Sequence, residues 1–297
     1  MKQLSLRTLL VILALLLAVP AFAQGNRQTS KSSVLIEAEG MACLGLDRTR
    51  TQVRQLAIDD AKRSATEQVS TYVSRETSVD KGKVSKDLID VYSRATVKVL
   101  KELENSWVES KDKSGYPDQC YKIRIRAEII PAEDGPTKGI QSKSVDNPRA
   151  PLTVELWTDK DVYKLGDQMK FYFRGNKPFY ARAVYKDAEG TLIEVTPSDR
   201  TKYYEGGAVY EIPGHNDSFT LQITPPLGEE KLILYTSTSP MNGYQGQRSG
   251  DLLVIEGKSS ELGTTTRGLT VLKGNKSQKK AAKAEFAEAE VKVKVEK

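Results

Sequence analysis

The pattern of hydrophobic and polar positions has different periods in the two halves of the chain. Residues 33–43, SVLIEAEGMAC, are mostly apolar and predict a strand that ends at or shortly after Gly40. A long helix is predicted next, with Asp47 or Thr49 as its N-cap. Its apolar and alanine positions stand four apart, at Val53, Ala57, Ala61, Ala65 and Val69. Small side chains in this row let the helix lie close against a sheet.

The rest of the first half predicts a short helix and two strands. The helix covers SKDLIDVYSR, and the strands are ATVKVLKELENSWVES and QCYKIRIRAEII, joined by the polar turn KDKSGYPD. In the second strand apolar residues alternate with Lys122, Arg124 and Arg126. We therefore expect one buried face and one solvated basic face.

Beyond Pro151 the alternation has the two-residue period of strands. Met169, Phe171 and Phe173 alternate with polar neighbours, and similar runs follow at FYARAVY, TLIEV, AVYEI, FTLQI, EKLILYTS and AEVKVKV. Short strands at close spacing with turn residues between them predict an antiparallel β-sandwich. The stretch GYQGQRSG, residues 243–250, has glycines without the spacing of a phosphate loop and predicts a flexible loop.

A turn motif, YKLGD, lies between the strand-like run LTVELWTD and the strand that begins at Met169. Gly166 can take a positive φ without steric cost, and Asp167 can accept a backbone N–H in the turn. Tyr163 is interpreted as a ring packed over the turn, with a ligand-stacking platform as the alternative.

These patterns together predict an α+β, multidomain fold. A small α/β module covers residues 33–131, a sheet with a long Ala-rich helix, and an antiparallel β-sandwich covers residues 151–297. Residues 132–150 are polar and rich in Gly, Pro and Ser, which predicts a linker. Residues 273–284 form a basic low-complexity segment within the second module.

The first 23 residues have the features of a secretory signal. Lys2 and Arg7 precede a short apolar run that closes on Ala21-Phe22-Ala23. We therefore expect cleavage after Ala23 and a periplasmic or outer-membrane-associated protein. Because no cysteine stands at the cleavage point, a lipoprotein is not expected, and no later apolar run is long enough to span a bilayer.

The formal net charge of +6 comes from the two ends of the chain. The signal contributes two basic residues, and the tail from Lys273 to Lys297 holds eight Lys against four Glu. The remainder is neutral in sum, which argues against nucleic acid as a partner. The segment KGNKSQKKAAKAEF is interpreted as a solvated loop, with contact to an anionic envelope surface as the alternative.

The two cysteines, Cys43 and Cys120, lie at the end of the first strand and the start of the last strand of the α/β module. If these strands pair antiparallel, the two sulfur atoms can meet. Export favours the oxidised form, so we predict a structural disulfide, with two buried free thiols as the alternative.

The first module resembles the N-terminal domain of flagellar assembly protein T and related small envelope domains. The resemblance is carried by EAEGMACLGLDRTRTQVRQLAIDDAKRSATEQV and the closing YKIRIRAEI, about 95 residues in extent. It implies a small α/β envelope module without catalysis, and it does not imply a flagellar role.

The second module resembles domain of unknown function 4384. The resemblance is carried by YKLGDQMKFYF, YKDAEGTLIEVTPS, AVYEIP and PPLGEEKLILYTSTSP, in this order from residue 151 to about 240. It implies an exported or envelope-exposed β domain whose biochemistry is unassigned.

No residue is predicted to be catalytic, to bind a cofactor or to ligate a metal. His215 is the single histidine of the sequence, so a triad or a zinc site would need it, and its loop position beside Asn and Asp predicts a surface residue. We predict a protein that is not an enzyme and that binds envelope proteins during assembly or scaffolding of an envelope complex. A glycan- or peptidoglycan-binding module is the alternative.

Overall fold

The computed structural model describes residues 26–77, 83–111, 115–132, 144–196, 203–249, 252–257, 262 and 283–297. Its helices are α1 (Arg50–Thr77) and α2 (Lys83–Ser93). The strands of the first half are β1 (Gln28–Thr29), β2 (Lys31–Cys43), β3 (Thr96–Lys111) and β4 (Pro117–Ile130). The strands of the second half are β5 (Val154–Thr158), β6 (Val162–Lys164), β7 (Gln168–Met169), β8 (Phe171–Gly175), β9 (Phe179–Lys186), β10 (Leu192–Glu194), β11 (Tyr203–Tyr204), β12 (Tyr210–Ile212), β13 (Leu221–Gln222), β14 (Gly228–Ser237), β15 (Gly246–Ser249), β16 (Leu252–Ile255) and β17 (Ala284–Glu296). The predicted α+β class with large antiparallel sheets is confirmed.

Helix α1 begins at a capping box. The backbone N–H of Gln52 donates to the Thr49 hydroxyl at 3.3 Å, and the backbone N–H of Thr49 donates to the Gln52 side chain at 2.8 Å. The predicted row of small and apolar residues is fully buried, and it continues through Val73 to Thr77. This row packs on β2 and β4, with Val34, Ile36, Ile123, Ile125 and Ile129 in the shared core.

The long sheet runs through both predicted modules. Its order is β15-β16-β10-β9-β14-β17-β2-β4-β3, so β17 lies between a strand of the second half and a strand of the first half. Strand β17 pairs with β14 from Phe286 to Val295, and its first residues, Ala284 to Glu288, pair with Leu35 to Lys31 of β2. The sequence pattern AEVKVKV had placed only the second part of this strand.

A smaller sheet completes the sandwich. It has the order β1-β5-β8-β12, and it packs over the large sheet around Leu156, Phe171, Phe173, Leu232 and Val291. Strand β1 lies before the predicted first module but pairs with β5 of the second. The described part of the chain therefore passes along the sandwich at β1 before it enters the α/β region.

The opposite face of the large sheet carries a third core. It joins Leu35 of β2 to Val184, Ile233, Leu253 and Ile255.

The expectation of a flexible loop over residues 243–250 is wrong for Gly246–Ser249, which form β15 and pair with β16. A close contact explains Gly246: a Cβ there would collide with the Val254 carbonyl oxygen.

Three predicted segments fall wholly or partly outside the described residues. They are the signal, residues 1–23, most of the linker, at 133–143, and most of the basic segment, at 273–282. The described end of the linker contains buried residues, Ser144 and Ala150. The domain boundaries therefore stay predictions. Within the part of the chain that is described, neither helix has the length and apolar character needed to cross a bilayer.

Candidate functional site

A disulfide links β2 to β4 at one end of the large sheet. Cys43 and Cys120 are bonded across the antiparallel pair β2–β4, in which they are register partners. The predicted bridge is thus present, and it joins residues 77 positions apart in the sequence. Just beyond it, the backbone N–H of Leu44 donates to the Gln119 carbonyl oxygen at 2.9 Å.

The loop that follows β2 is fixed to the start of β4. The backbone N–H of Gly45 donates to the Asp118 carboxylate at 3.2 Å, and the Arg48 guanidinium donates to the Cys43 carbonyl oxygen at 3.2 Å. Gly45 has a φ of 58°, which favours glycine at this turn. The loop holds Leu46 fully exposed to solvent.

Two arginines at the start of α1 lie over aromatic rings of the sheet. The Arg50 guanidinium is 5.1 Å from the Trp107 ring and donates to the Gln119 side chain at 3.2 Å. The Arg54 guanidinium is 5.9 Å from the Tyr121 ring and pairs with Glu102 at 3.2 Å. The two rings are themselves 5.2 Å apart, which makes a continuous aromatic and cationic surface.

Strand β3 is a free edge of the large sheet in the described part of the chain, with β4 as its neighbour. None of its 16 residues is buried. Register shifts interrupt the β3–β4 pair between Val99 and Lys101 and between Glu102 and Glu104. The strand is regular from Asn105 to Lys111, which leaves a straight edge of about seven residues.

The direction of the free backbone groups on this edge follows from the ladder. Hydrogen bonding in antiparallel strands alternates, so the bond between Leu44 and Gln119 makes Cys43–Cys120 a non-hydrogen-bonded pair. The backbone of Cys120 therefore points to β3, where Val108 is its register partner. The residues that direct N–H and C=O groups to solvent are Asn105, Trp107, Glu109 and Lys111.

We call this region the disulfide-end surface, defined by Leu46, Arg48, Arg50, Tyr116 and the β3 edge from 105 to 111. Tyr116 precedes β4 and is 70% exposed. Exposed apolar side chains beside unpaired strand groups are typical of a surface that binds another chain. The geometry can support binding of an extended segment.

A second polar cluster lies where α1 meets the sandwich. The buried Glu285 carboxylate accepts hydrogen bonds from the Tyr72 hydroxyl, from Lys177 Nζ at 2.9 Å and from the backbone N–H of Leu152 at 2.8 Å. Burial, together with Glu285, raises the pKa of Tyr72 well above its usual value. This cluster joins elements of both predicted modules, so its chemistry indicates a structural role.

Of the predicted turn residues, Tyr163 lies in β6, and Gly166 and Asp167 lie between β6 and β7. The Tyr163 ring is fully buried in the sandwich core, and its hydroxyl donates to Asp159 at 2.6 Å. Gly166 has a φ of 83°. The Asp167 carboxylate accepts the backbone N–H of Lys164 at 3.1 Å and Lys160 Nζ at 3.0 Å, and these contacts lower the pKa of Asp167. All three residues therefore contact the protein's own turn.

His215 is exposed in the segment between β12 and β13. Its neighbour Asp217 accepts the backbone N–H of Gly214 at 2.7 Å. Among the described residues one group has metal-ligand spacing: Cys43, Asp118 and Cys120. Both sulfur atoms of that group are in the disulfide, so they cannot act as thiolate ligands.

Comparison with known proteins identifies part of the second half. Residues 162–240 match the family model described as a domain of unknown function (DUF4384). The resemblance predicted for this region is thereby confirmed over that range. No curated protein and no solved structure matches the chain significantly. The resemblance of residues 33–131 to flagellar assembly protein T stays a prediction.

The sequence pattern did not predict that the disulfide-end surface is a candidate site. It predicted β3 as a strand, but a strand's own pattern does not show which of its edges is free. It also missed Glu285, for which a signal existed: Ala287, Ala289, Val291, Val293 and Val295 share its parity and are buried. A glutamate on the buried face of a strand indicates a buried partner.

Proposed function

We propose that the protein is an exported component of the cell envelope that acts by binding other envelope proteins during assembly or scaffolding of a periplasmic or outer-membrane complex. The observation that carries the proposal is the disulfide-end surface: a regular free sheet edge beside exposed Leu46 and Tyr116. Export is supported by the N-terminal sequence and by the disulfide, because disulfides persist in oxidising compartments.

The structure of this surface favours binding over catalysis. Its two arginines contact a backbone oxygen, an amide and an aromatic ring, and among the described residues it has no nucleophile beside a general base. Its disulfide fixes the end of β2, which leads into the loop, to the start of β4, the strand that pairs with the β3 edge. A rigid edge loses little conformational entropy on binding, which favours a recognition surface.

Crosslinking in cells followed by mass spectrometry tests this proposal. We expect the chain to be trapped with a small, reproducible set of envelope proteins. Glycan binding is the alternative, and a pull-down on purified sacculi tests it in parallel. Retention on sacculi above a control protein, with no reproducible protein partner, would replace the assembly function by glycan binding.

A further inference from the structure

We propose that the β3 edge between Asn105 and Lys111 accepts an extended acidic segment of a partner protein as an added strand. The inference rests on the proposed function and specifies the chemistry of the partner at the disulfide-end surface. It joins two observations: the outward direction of the edge's backbone groups and the Arg50 guanidinium beside them, which has no carboxylate partner among the described residues.

The backbone supplies affinity without sequence selectivity. Four alternate residues, from Asn105 to Lys111, direct N–H and C=O groups away from β4. An added strand of about seven residues can pair with all of them, as in other cases of strand addition to a sheet edge. The bulges before Asn105 interrupt the ladder, so they limit the added strand to this part of β3.

Arg50 supplies the selectivity, because its guanidinium lies over the Trp107 ring beside the edge. Arg48 donates to a backbone oxygen, and Arg50 contacts an amide and an indole, so each has neutral partners. Neither makes an ion pair with a carboxylate in the described ranges. Other arginines of the module differ: Arg54 pairs with Glu102, and Arg126 pairs with Glu37 at 2.9 Å.

The Arg50 guanidinium lies on the face of the sheet where alternate side chains of an added strand would point. Trp107 and Tyr121 are register partners and share the sheet face that carries α1. An added strand would place alternate side chains on that face, beside the Trp107 ring and the Arg50 guanidinium that lies over it. A carboxylate at those positions would meet the Arg50 guanidinium, which favours an acidic segment over a basic one.

The experiment uses the purified full chain and fluorescein-labelled ten-residue peptides, one alternating valine with aspartate and one alternating valine with lysine. Fluorescence anisotropy measures binding. We expect the acidic peptide to bind about tenfold more tightly than the basic one, since the Arg50 guanidinium attracts carboxylates and repels ammonium groups. Equal binding of the two peptides would overturn the inference.

Two pairs of variants test the two observations separately. Arg50→Glu should weaken binding of the acidic peptide by about tenfold, whereas Arg63→Glu, the same charge change on the exposed side of α1, should leave it unchanged. Glu109→Pro removes an outward N–H and should abolish binding, whereas Glu109→Ala should retain it. Full binding by Glu109→Pro, or equal losses for the two arginine variants, contradicts the inference.

Other outcomes separate this inference from the proposed function. If circular dichroism shows that Glu109→Pro does not fold, the comparison of Arg50→Glu with Arg63→Glu decides whether the inference holds. Cellular protein partners that crosslink only to other faces leave the assembly function standing and overturn the edge assignment. Concentration-dependent dimers that Glu109→Pro dissociates would assign the edge to a second copy instead.

Discussion

The ammonium group of Lys283 lies in an unusual place for a lysine. Its Nζ is buried over the Tyr72 ring and has no hydrogen-bond partner among the described residues. Burial lowers the pKa of Lys283 to about 7, the Glu285 carboxylate opposes this shift, and Lys177 adds to it. The neighbouring Glu76 also favours the charged form. Lys283 is therefore partly neutral near physiological pH.

This environment predicts a pH-dependent stability. The pKa of Lys283 is about 7 in the folded chain and near 10.4 when unfolded, so the unfolded state binds more protons between these values. The free energy of unfolding should therefore rise from pH 7 to pH 9, by about 1 kcal/mol once partial exposure is discounted. Urea unfolding at each pH measures it, and Lys283→Met should remove the rise.

Identical pH profiles for the wild type and Lys283→Met would contradict this account. Lys231→Met is a suitable control, because Lys231 is an exposed lysine paired with Glu290 at the surface. We expect that control to keep the rise. The comparison cancels contributions from His215, which both chains contain.

At the scale of elements, the packing of α1 on β2 depends on one glycine. A Cβ at Gly40 would collide with the backbone of Ala57 and Ala61, so helix and strand are in direct contact there. Gly40→Ala should destabilise the protein by about 2–3 kcal/mol, because neither backbone can yield without shifting an element. Thermal unfolding by circular dichroism measures this. Gln68→Ala on the exposed side of α1 is the control, and equal midpoints for the two variants would refute close packing.

The disulfide stabilises the same module by closing a long loop. Replacing Cys43 and Cys120 together by alanine should lower the free energy of unfolding by up to about 4.5 kcal/mol in the chain-entropy model, given the separation of 77 residues. Denaturant unfolding measures the loss. Intact mass with and without reductant should differ by about 2 Da for the wild type, and no difference would mean that the bridge does not form.

The elements predicted best are those whose own pattern contains the information. The four-residue spacing from Val53 to Val69 predicted both α1 and its buried side, and the alternation around Ile123 predicted β4. The pattern of a strand does not specify which strands will lie beside it. Nothing in the pattern of β17 specifies that it pairs with β2, about 250 residues earlier, because any alternating strand can extend any edge.

At the scale of the whole molecule, the continuous sheet joins the two predicted modules. Glu285 lies at the crossing, where it contacts α1 through Tyr72 and the second half through Lys177 and Leu152. Strand β17 is shared by both parts, so loss of either part exposes the edge of the other. We therefore expect one cooperative unfolding transition for the chain.

Glu285→Gln tests this junction. The substitution leaves Lys177 mostly buried without a carboxylate, which should destabilise the protein by about 3 kcal/mol. Glu290→Gln on the same strand breaks an exposed pair with Lys231 and should cost less than about 1 kcal/mol. Calorimetry that resolves two independent transitions, with only one shifted by Glu285→Gln, would show that the modules are not coupled.

In the candidate site, features set by the pattern of a single strand could be predicted, and features set by contacts between distant segments could not. The cysteine pair was predictable because the two strands that carry it were predictable. The disulfide-end surface was not, because it depends on β3 being the last strand of the sheet in the described residues and on the position of Arg50 over Trp107, a contact between distant parts of the chain. This surface exists only once the strands and α1 have packed together.

The most direct test of the central claim is site-specific photo-crosslinking in living cells. A photoreactive residue at position 109, on the β3 edge, should trap a defined envelope protein, and the same residue at exposed position 67 on α1 should not. The trapped peptide should be an extended, acidic segment. Adducts that form equally at both positions, or at neither while sacculi retain the protein, would contradict the account.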